Sequence, residues 1–490
     1  MRRRLAILAA GSLLLVAACS GAKNPSGIAL DPTPEPTSSD GTPIDPSATP
    51  GASVSPGAPG SPAPGAAPGA TTGTGGTGGT GGTGGTGGTG GSTTGPGPAP
   101  GSNGITLYKG ADNTTGITAN SITMCTHAAL TYGAAFDTTA GDFNVYWDAL
   151  NDKGGIYGRK VTNTWEDDKY TPQDAITAAT TCKSRNPFLL LGGIGFDQIP
   201  AVRNWAEQNK MLYLHHAATV KGSEGKRFSY TALPTVEKLG ETFAELAAKK
   251  YRGRKIAIMH RDSVNWDPGY EAFLAKAKAL GLNIVKEGDV KTLNDHNHLQ
   301  RVLTVKDSGA DVVWLWENAL VSTEIITTAD QQDFHPAWLA FPFNLTTQGL
   351  QAANIEADMV GIAAWPAYSK GDVTGLFANY ADDIREFELQ YARYRPRAKL
   401  DSLGGDLLFL NWVGQKTLHQ MFLACGKDCT RNGFASLFHN GFKLTVQGCS
   451  IDFTRNPYRG SYQVNVFEPY EGSPTGKRNW RPQALCREHI

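Results

Sequence analysis

The chain has 490 residues, 18% of them charged, with 45 basic and 45 acidic side chains, 40% hydrophobic residues and 58 glycines. That neutrality argues against a nucleic-acid binder, which carries a basic excess or stripe, and favours a partner of small size. Beyond the first residues no apolar run reaches the roughly 20 positions needed to cross a bilayer, so the downstream chain is expected to lie wholly outside the membrane.

Arg2, Arg3 and Arg4 open the chain, an apolar run continues to Ala18, and Cys19 follows the small pair Ala17 and Ala18. This order reads as a signal peptide over residues 1–18. Val16-Ala17-Ala18-Cys19 resembles the lipobox of bacterial lipoproteins. The resemblance implies a diacylglyceryl group on Cys19 and stable anchoring at the extracellular face of the cell membrane, since two acyl chains hold where one does not. Residues 19–104 then form a Gly/Pro/Thr-rich segment with six Thr-Gly-Gly repeats from Thr74 to Gly91. Such a composition cannot bury a core and is expected to be a disordered linker. As a coil of about 85 residues it would span roughly 50 Å.

From Ile105 the composition becomes globular. Removing four charges of each sign from the first 104 residues leaves 41 basic and 41 acidic side chains. Roughly 385 residues exceed what one core usually supports, so two lobes are expected. Short aliphatic runs alternate with amphipathic helical patterns, the signature of parallel sheets with helices on their faces. A strand at 121–126 leads to a helix carrying Phe143, Trp147 and Leu150 on one stripe, stopped by Gly154 and Gly155. The strand at 161–165 runs through Glu166-Asp167-Asp168 to Thr171-Pro172, an N-cap and first helical position, with Asp174 in the first turn. The next helix aligns Ala175, Ala178, Ala179 and Cys182 on one face. Strands at 188–191 and 211–214 flank a helix at 200–209. After Pro234 the unit repeats: a helix at 236–251 with Leu239, Phe243 and Leu246 inward, a strand at 255–260, a helix through Tyr270 and Phe273, then strands at 283–285 and 311–316 around a helix at 298–308. Two doubly wound α/β sheets in succession are expected, with the break at 230–236. Trp147, Trp205 and Trp412 lie on helical stripes and read as core, and the polar stretch from Asp401 to Asp406 reads as the capped entry to an apolar helix at 407–423.

Apart from Cys19, six cysteines remain: Cys125, Cys182, Cys425, Cys429, Cys449 and Cys486. An even number outside the cell suggests three disulfides. Fifteen pairings exist, and only Cys425-Gly-Lys-Asp-Cys429 suggests a partner locally; Cys125 with Cys182 and Cys449 with Cys486 are the favoured remainder. No Cys-x-x-Cys or paired Cys and His spacing supports a metal site.

Three stretches together resemble the branched-chain amino-acid type of periplasmic binding protein. Asn151-Asp152-Lys153-Gly154-Gly155-Ile156-Tyr157-Gly158-Arg159-Lys160 is similar to the family's N-x-x-G-G-I-x-G-R/K segment. Asp167-Asp168-Lys169-Tyr170-Thr171-Pro172 resembles its D-D-x-x-x-P helix entry, and Leu214-His215-His216-Ala217-Ala218-Thr219 falls at the strand end where the family places its ligand loop. The resemblance, covering residues 116–480, implies the type I fold: two doubly wound lobes joined by three crossings that close over a small molecule. It implies a first lobe from 105–233 and 367–455 and a second from 234–366 and 456–490. It also implies a binding role with no cofactor, delivery to an ABC permease, and a monomer.

By position, the resemblance assigns ligand contacts to Phe196, Asp197, His216, Ala217, Thr219, Trp266, Glu317, Asn318 and Phe343. Phe196 stands where a serine usually receives the ligand carboxylate, and Phe341-Pro342-Phe343 offers no carboxylate for an ammonium. Either Asp197 or Glu317 replaces that partner or the ligand has no amine, because an unpaired buried ammonium is costly. Phe196, Trp266, Trp316, Phe341 and Phe343 suggest an aromatic cleft, suited to a small aromatic or apolar acid or an amide in place of an amino acid.

Rival readings are weaker. Gly193-x-Gly195 lacks the third glycine of a dinucleotide loop, with Gln198 at its place. A hydrolase would draw on His215, His216, Asp197 and Glu317, yet no Gly-x-Ser-x-Gly or His-Glu-x-x-His occurs. Asp295-His296-Asn297-His298 reads as a solvated turn and helix cap before it reads as a metal site. A ligand sensor remains the alternative to transport.

Overall fold

The computed structural model describes residues 104–490 except 134–137, 194, 217–218, 291–296, 341–357, 366, 402 and 477. The signal segment, Cys19 and the linker therefore lie outside the described residues.

Strands β1 (Ser121–Ala128), β2 (Lys160–Asp167), β3 (Leu190–Gly192), β4 (Tyr213–Leu214) and β5 (Ser229–Tyr230) form one parallel sheet in the order β2-β1-β3-β4-β5. In register, Cys125 lies between Thr164 and Leu190. Strand order reverses between β1 and β3, and a crevice opens at the carboxyl ends there. The second lobe repeats the winding with β6 (Lys255–Arg261), β7 (Asn283–Val290), β8 (Val312–Trp316), β9 (Ala337–Ala340) and β10 (Met359–Ala363), in the order β7-β6-β8-β9-β10. After a separate hairpin of β11 (Lys443–Val446) and β12 (Cys449–Asp452), the antiparallel strands β13 (Val464–Tyr470) and β14 (Asn479–Arg487) extend that second sheet beyond β10. The β8 run Val-Val-Trp-Leu-Trp is buried throughout, as expected for a strand covered on both faces.

Helices cover each sheet on two sides because their apolar stripes have no other place to go. In the first lobe, Pro172–Ser184 and Ile199–Asn209 bury Ala175, Ala179, Cys182, Ile199 and Val202 on one face. Thr171 caps the former, accepting the Asp174 amide at 3.1 Å with Pro172 next in line. On the opposite face lie Val145–Asp152, Ala381–Tyr394 and the 23-residue helix Leu403–Cys425, around Phe143, Trp147, Phe387 and Trp412. Truncating a fully buried side chain such as Trp412 to alanine should cost about 3–5 kcal/mol. In the second lobe Val236–Lys250 buries Leu239, Phe243 and Leu246 beneath Trp314 and Trp316, while His298–Asp307 and Ala319–Gln331 pack the other side.

The chain passes between the lobes after Tyr230, after Ala363 and between Asp452 and Val464. The first and third passages are hydrogen-bonded: the Thr231 amide donates to the Tyr458 carbonyl at 3.0 Å, and the Gly460 amide to the Thr231 carbonyl at 2.9 Å. Three disulfides form the favoured pairs, Cys125–Cys182, Cys425–Cys429 and Cys449–Cys486. The first ties β1 to its covering helix. The third joins the β11–β12 hairpin, which packs on the first core, to the last strand of the second sheet.

Two expectations need correction. His298 is not part of a solvated turn: it is 3% exposed, and its Nε2 lies 2.8 Å from the Glu324 carboxylate. Asp295 and His296 lie outside the described residues, and among the described residues no cluster of three potential metal ligands occurs. The Glu166–Asp168 run does more than introduce a helix, as described next.

Candidate functional site

Each aspartate of the Asp167-Asp168 pair holds a different piece of the crevice. Asp167 Oδ1 accepts the Leu130 amide at 2.9 Å and the Thr131 amide at 3.2 Å, fastening the segment after β1, and also accepts the Lys169 amide at 3.0 Å. Asp168 Oδ1 accepts the Tyr170 amide at 3.0 Å. Lys169 and Tyr170 both have positive φ, 48° and 64°, a conformation that non-glycine residues adopt only when surroundings hold them there. The two carboxylates, each bonded to the amide two residues on, supply that restraint. Tyr170 is thereby placed in the crevice wall. Glu166 is engaged elsewhere, paired with Arg185.

Behind this turn lies a fully buried polar chain. Asp168 Oδ2 is 2.8 Å from His127 Nδ1, His127 Nε2 is 2.8 Å from the Tyr213 hydroxyl, and Gln198 Nε2 donates to Asp168 at 3.1 Å. Burial pushes the Tyr213 phenol well up, so it serves as a neutral hydroxyl. Gln198 ends the loop Gly192–Gln198, and the chain fixes that loop over the end of β1. Gly193 is required there: its amide bonds the His127 carbonyl at 2.8 Å, and a Cβ would come within 2.6 Å of the Ala128 methyl. Gly195 has φ +110°, and a side chain there would run into Gln198. His216 secures the loop from the other side, with Nε2 2.6 Å from the Gly195 carbonyl and Nδ1 3.3 Å from that of Gly192. Burial outweighs these acceptors and lowers its pKa to about 4, so the ring is neutral at pH 7 and its single N–H donates to one of the two, the nearer Gly195 carbonyl.

From this platform the loop reaches the second lobe. Asp197 receives Arg261 Nη2 at 3.2 Å and the Ser263 hydroxyl at 2.8 Å, and the Phe196 carbonyl accepts Asn265 Nδ2 at 3.0 Å. The Phe196 ring lies 5.0 Å from that of Trp266 and 5.3 Å from that of His216. Glu317, just past β8, accepts the amide and side-chain Nδ2 of Asn318, both at 2.7 Å, and stands 4.0 Å from Arg261. Burial raises its pKa to about 8, against the lowering effect of Arg261.

Beneath these contacts is a cavity of about 290 Å³. It begins between the lobes at Phe196, Trp266, Asn318 and Trp365 and extends into the first lobe, between the sheet and the helix Leu403–Cys425. That helix presents Leu407, Leu410, Asn411, Gly414, Leu418 and Met421, a stripe at helical spacing, to the cavity. Its other stripe, with Leu408, Phe409, Trp412 and Phe422, belongs to the core. Phe143, Trp165 and Tyr170 add aromatic surface, and Phe143 stacks on Trp165 at 4.9 Å. None of the described wall residues is Asp, Glu, Lys or Arg.

Of the positions assigned from sequence, Phe196, His216, Trp266 and Asn318 line this cavity. Asp197 and Glu317 are in the polar contacts around Arg261 and are not in the wall. Thr219 is buried as the cap of a short helix, accepting the Gly222 amide at 2.8 Å. Ala217, Phe341 and Phe343 lie outside the described residues. Trp316, expected in the cleft, is fully buried in the second core and donates from Nε1 to the Trp266 carbonyl at 2.7 Å. Sequence reasoning missed Phe143, Trp165 and the whole helical stripe. The available signal was that the helix at 407–423 is apolar on both sides while carrying Asn411, Gly414 and Gln415 along one of them.

Residues 132–440 match a family model described as periplasmic binding protein. Comparison of the sequence with curated proteins returns no match. Among solved structures the chain is similar to a fatty acid ABC transporter substrate-binding protein from Thermomonospora curvata, with 17% identity, 77% of this chain and 94% of that one covered, and a TM-score of 0.62. It is similar to a branched chain amino acid ABC transporter protein from Thermus thermophilus with bound valine, at 14% identity, 75% and 97% coverage and a TM-score of 0.60. A solute-binding protein from R. palustris in complex with 4-hydroxybenzoate is similar at 16% identity, 75% and 97% coverage and a TM-score of 0.60.

Proposed function

Since the chain belongs to the periplasmic binding protein family, in its type I branched-chain amino-acid receptor form, we propose that it is an extracytoplasmic substrate-binding protein that captures a small, largely apolar molecule for an ABC transporter. The observation that carries this reading is the cavity running from the lobe interface into the first lobe, walled by apolar and aromatic side chains. Related folds bind valine and 4-hydroxybenzoate, and one is named for fatty acids, so the architecture accommodates apolar bodies of different length.

The chemistry of capture needs no covalent step. A ligand that touches both lobes favours the closed arrangement only by as much as its contacts there exceed those it makes when the lobes are apart. Phe196 and Trp266, from different lobes and in contact with each other, are wall residues through which a ligand would exert that preference. We further propose that Cys19 carries the lipid, that residues 19–104 tether the receptor at the extracellular face of the membrane, and that the two lobes divide as 105–233 with 367–455 and 234–366 with 456–490.

Native mass spectrometry of protein purified without denaturation, followed by a thermal-shift screen of the identified class, tests the reading. An adduct that raises the melting temperature supports it. Stabilisation by zwitterionic amino acids alone would overturn the apolar assignment.

A further inference from the structure

We infer that the bound molecule is elongated, and that an unbranched apolar tail lies inside the first lobe along the helix Leu403–Cys425, with its polar end left between the lobes. This deepens the substrate-binding reading and rests on it.

The shape of the cavity carries the inference. Leu410 lines it and packs against a core of the second lobe, whereas Leu418 and Met421 line it and belong to the core of the first. The helix therefore leads from the lobe interface inward. A rise of about 16 Å from Leu410 to Met421 is twice the width of about 8 Å that a sphere of 290 Å³ would have, so the space is a channel. Asn411 and Gln415 both donate to the Phe143 carbonyl, which sets the stacked rings of Phe143 and Trp165 beside the middle of that run. Gly414 leaves the way open there, since a Cβ on it would meet nothing within 4 Å. At the roughly 30 Å³ that a water-sized group takes up in a liquid, the channel holds about ten such groups or more, enough for a tail of about ten carbons.

Polarity fixes which end goes in. On the inner half Thr417 turns its hydroxyl onto the Val413 carbonyl at 2.8 Å, and beyond it stand Leu418 and Met421. The outer end has Asn318, His216 and the glycine loop, with the ion pair of Asp197 and Arg261 next to Phe196. A polar end keeps partners at the interface and would give up its water further in. A methylene gains by going in.

The test is a length series of straight-chain alkanoates and straight-chain primary alcohols, from butyl to decyl, titrated calorimetrically into the full chain. In at least one series each added methylene should tighten binding about fourfold. Gly414→Leu, whose side chain would stand across the channel, should weaken decyl binding about tenfold or more and flatten the rise beyond the shorter members. Should that variant fail to fold, Gly414→Val takes its place with the same expectation. Affinity that does not rise with length in either series overturns the inference and leaves the substrate-binding reading intact. A decyl ligand that binds the variant as tightly as the parent does the same, as does a compact molecule retained by a protein that binds neither series. No binding by any member, with no small molecule retained by the purified protein, overturns both.

Discussion

Replacing Glu317 by glutamine should change how stability depends on pH. The Glu317 side chain is fully buried, with one oxygen satisfied by Asn318 and the other 4.0 Å from Arg261. Burial raises its pKa to about 8, against an ordinary 4.5, despite the opposing pull of Arg261. The folded protein therefore binds one more proton than the unfolded chain between those values. Stability derived from the protonated acid is complete below pH 4.5, declines as pH rises through the window, and is lost above about 8. The full gap corresponds to a ceiling of ~5 kcal/mol, and relaxation around Arg261 should reduce the observed effect to ~1–3 kcal/mol. Glutamine has the shape of the neutral acid, keeps an acceptor for Asn318 and cannot ionise. Glu317→Gln should match the parent at pH 5 and exceed it at pH 8.5 by that amount. Urea denaturation midpoints at pH 5, 6.5 and 8.5 measure it. The difference between the two proteins is the relevant quantity, since Asp406, whose pKa burial raises to about 7, adds its own slope to both. A difference that stays constant across the three pH values would refute the reasoning.

Asp197→Asn should speed ligand dissociation about tenfold with little change in melting temperature, because Asp197 meets Arg261 and Ser263 of the other lobe and supports closure more than folding; stopped-flow displacement reads this directly. Gly414 lies in a helix and faces open cavity, with nothing within 4 Å of a Cβ built on it. Gly414→Ala should therefore raise stability by about 0.5–1 kcal/mol, while Gly414→Leu should fold and lose ligand binding, as calorimetry of both variants would show. Cys19→Ser should release binding-competent protein into the medium, seen by immunoblot of cell and supernatant fractions; a variant that stays with the membrane would refute the lipid anchor.

The winding was legible because strands buried on both faces must be nearly all apolar, so Val312–Trp316 and its neighbours stand out between amphipathic helices. Thr171 and Pro172 located a helix start to the residue, since capping chemistry is local. The site was less legible, for a definite reason. Position in a family pattern predicted that Asp197 and Glu317 would face a ligand, but in this chain Arg261 occupies the space between them and engages both. Much of the cavity wall instead comes from the helix Leu403–Cys425, far along the chain from both, and the local signal for its cavity side is slight: Asn411, Gly414 and Gln415 fall along one flank of an otherwise largely apolar segment.

The bond between Cys449 and Cys486 ties the two lobes covalently beside the cavity. Cys449 is both a wall residue of the cavity and one end of a covalent strap across the third passage between the lobes. The strap is covalent, whereas Phe196 and Asp197 meet Trp266 and Arg261 of the other lobe through non-covalent contacts. Of the contacts that join the lobes beside the cavity, this one is a covalent bond, and it persists whatever the cavity holds.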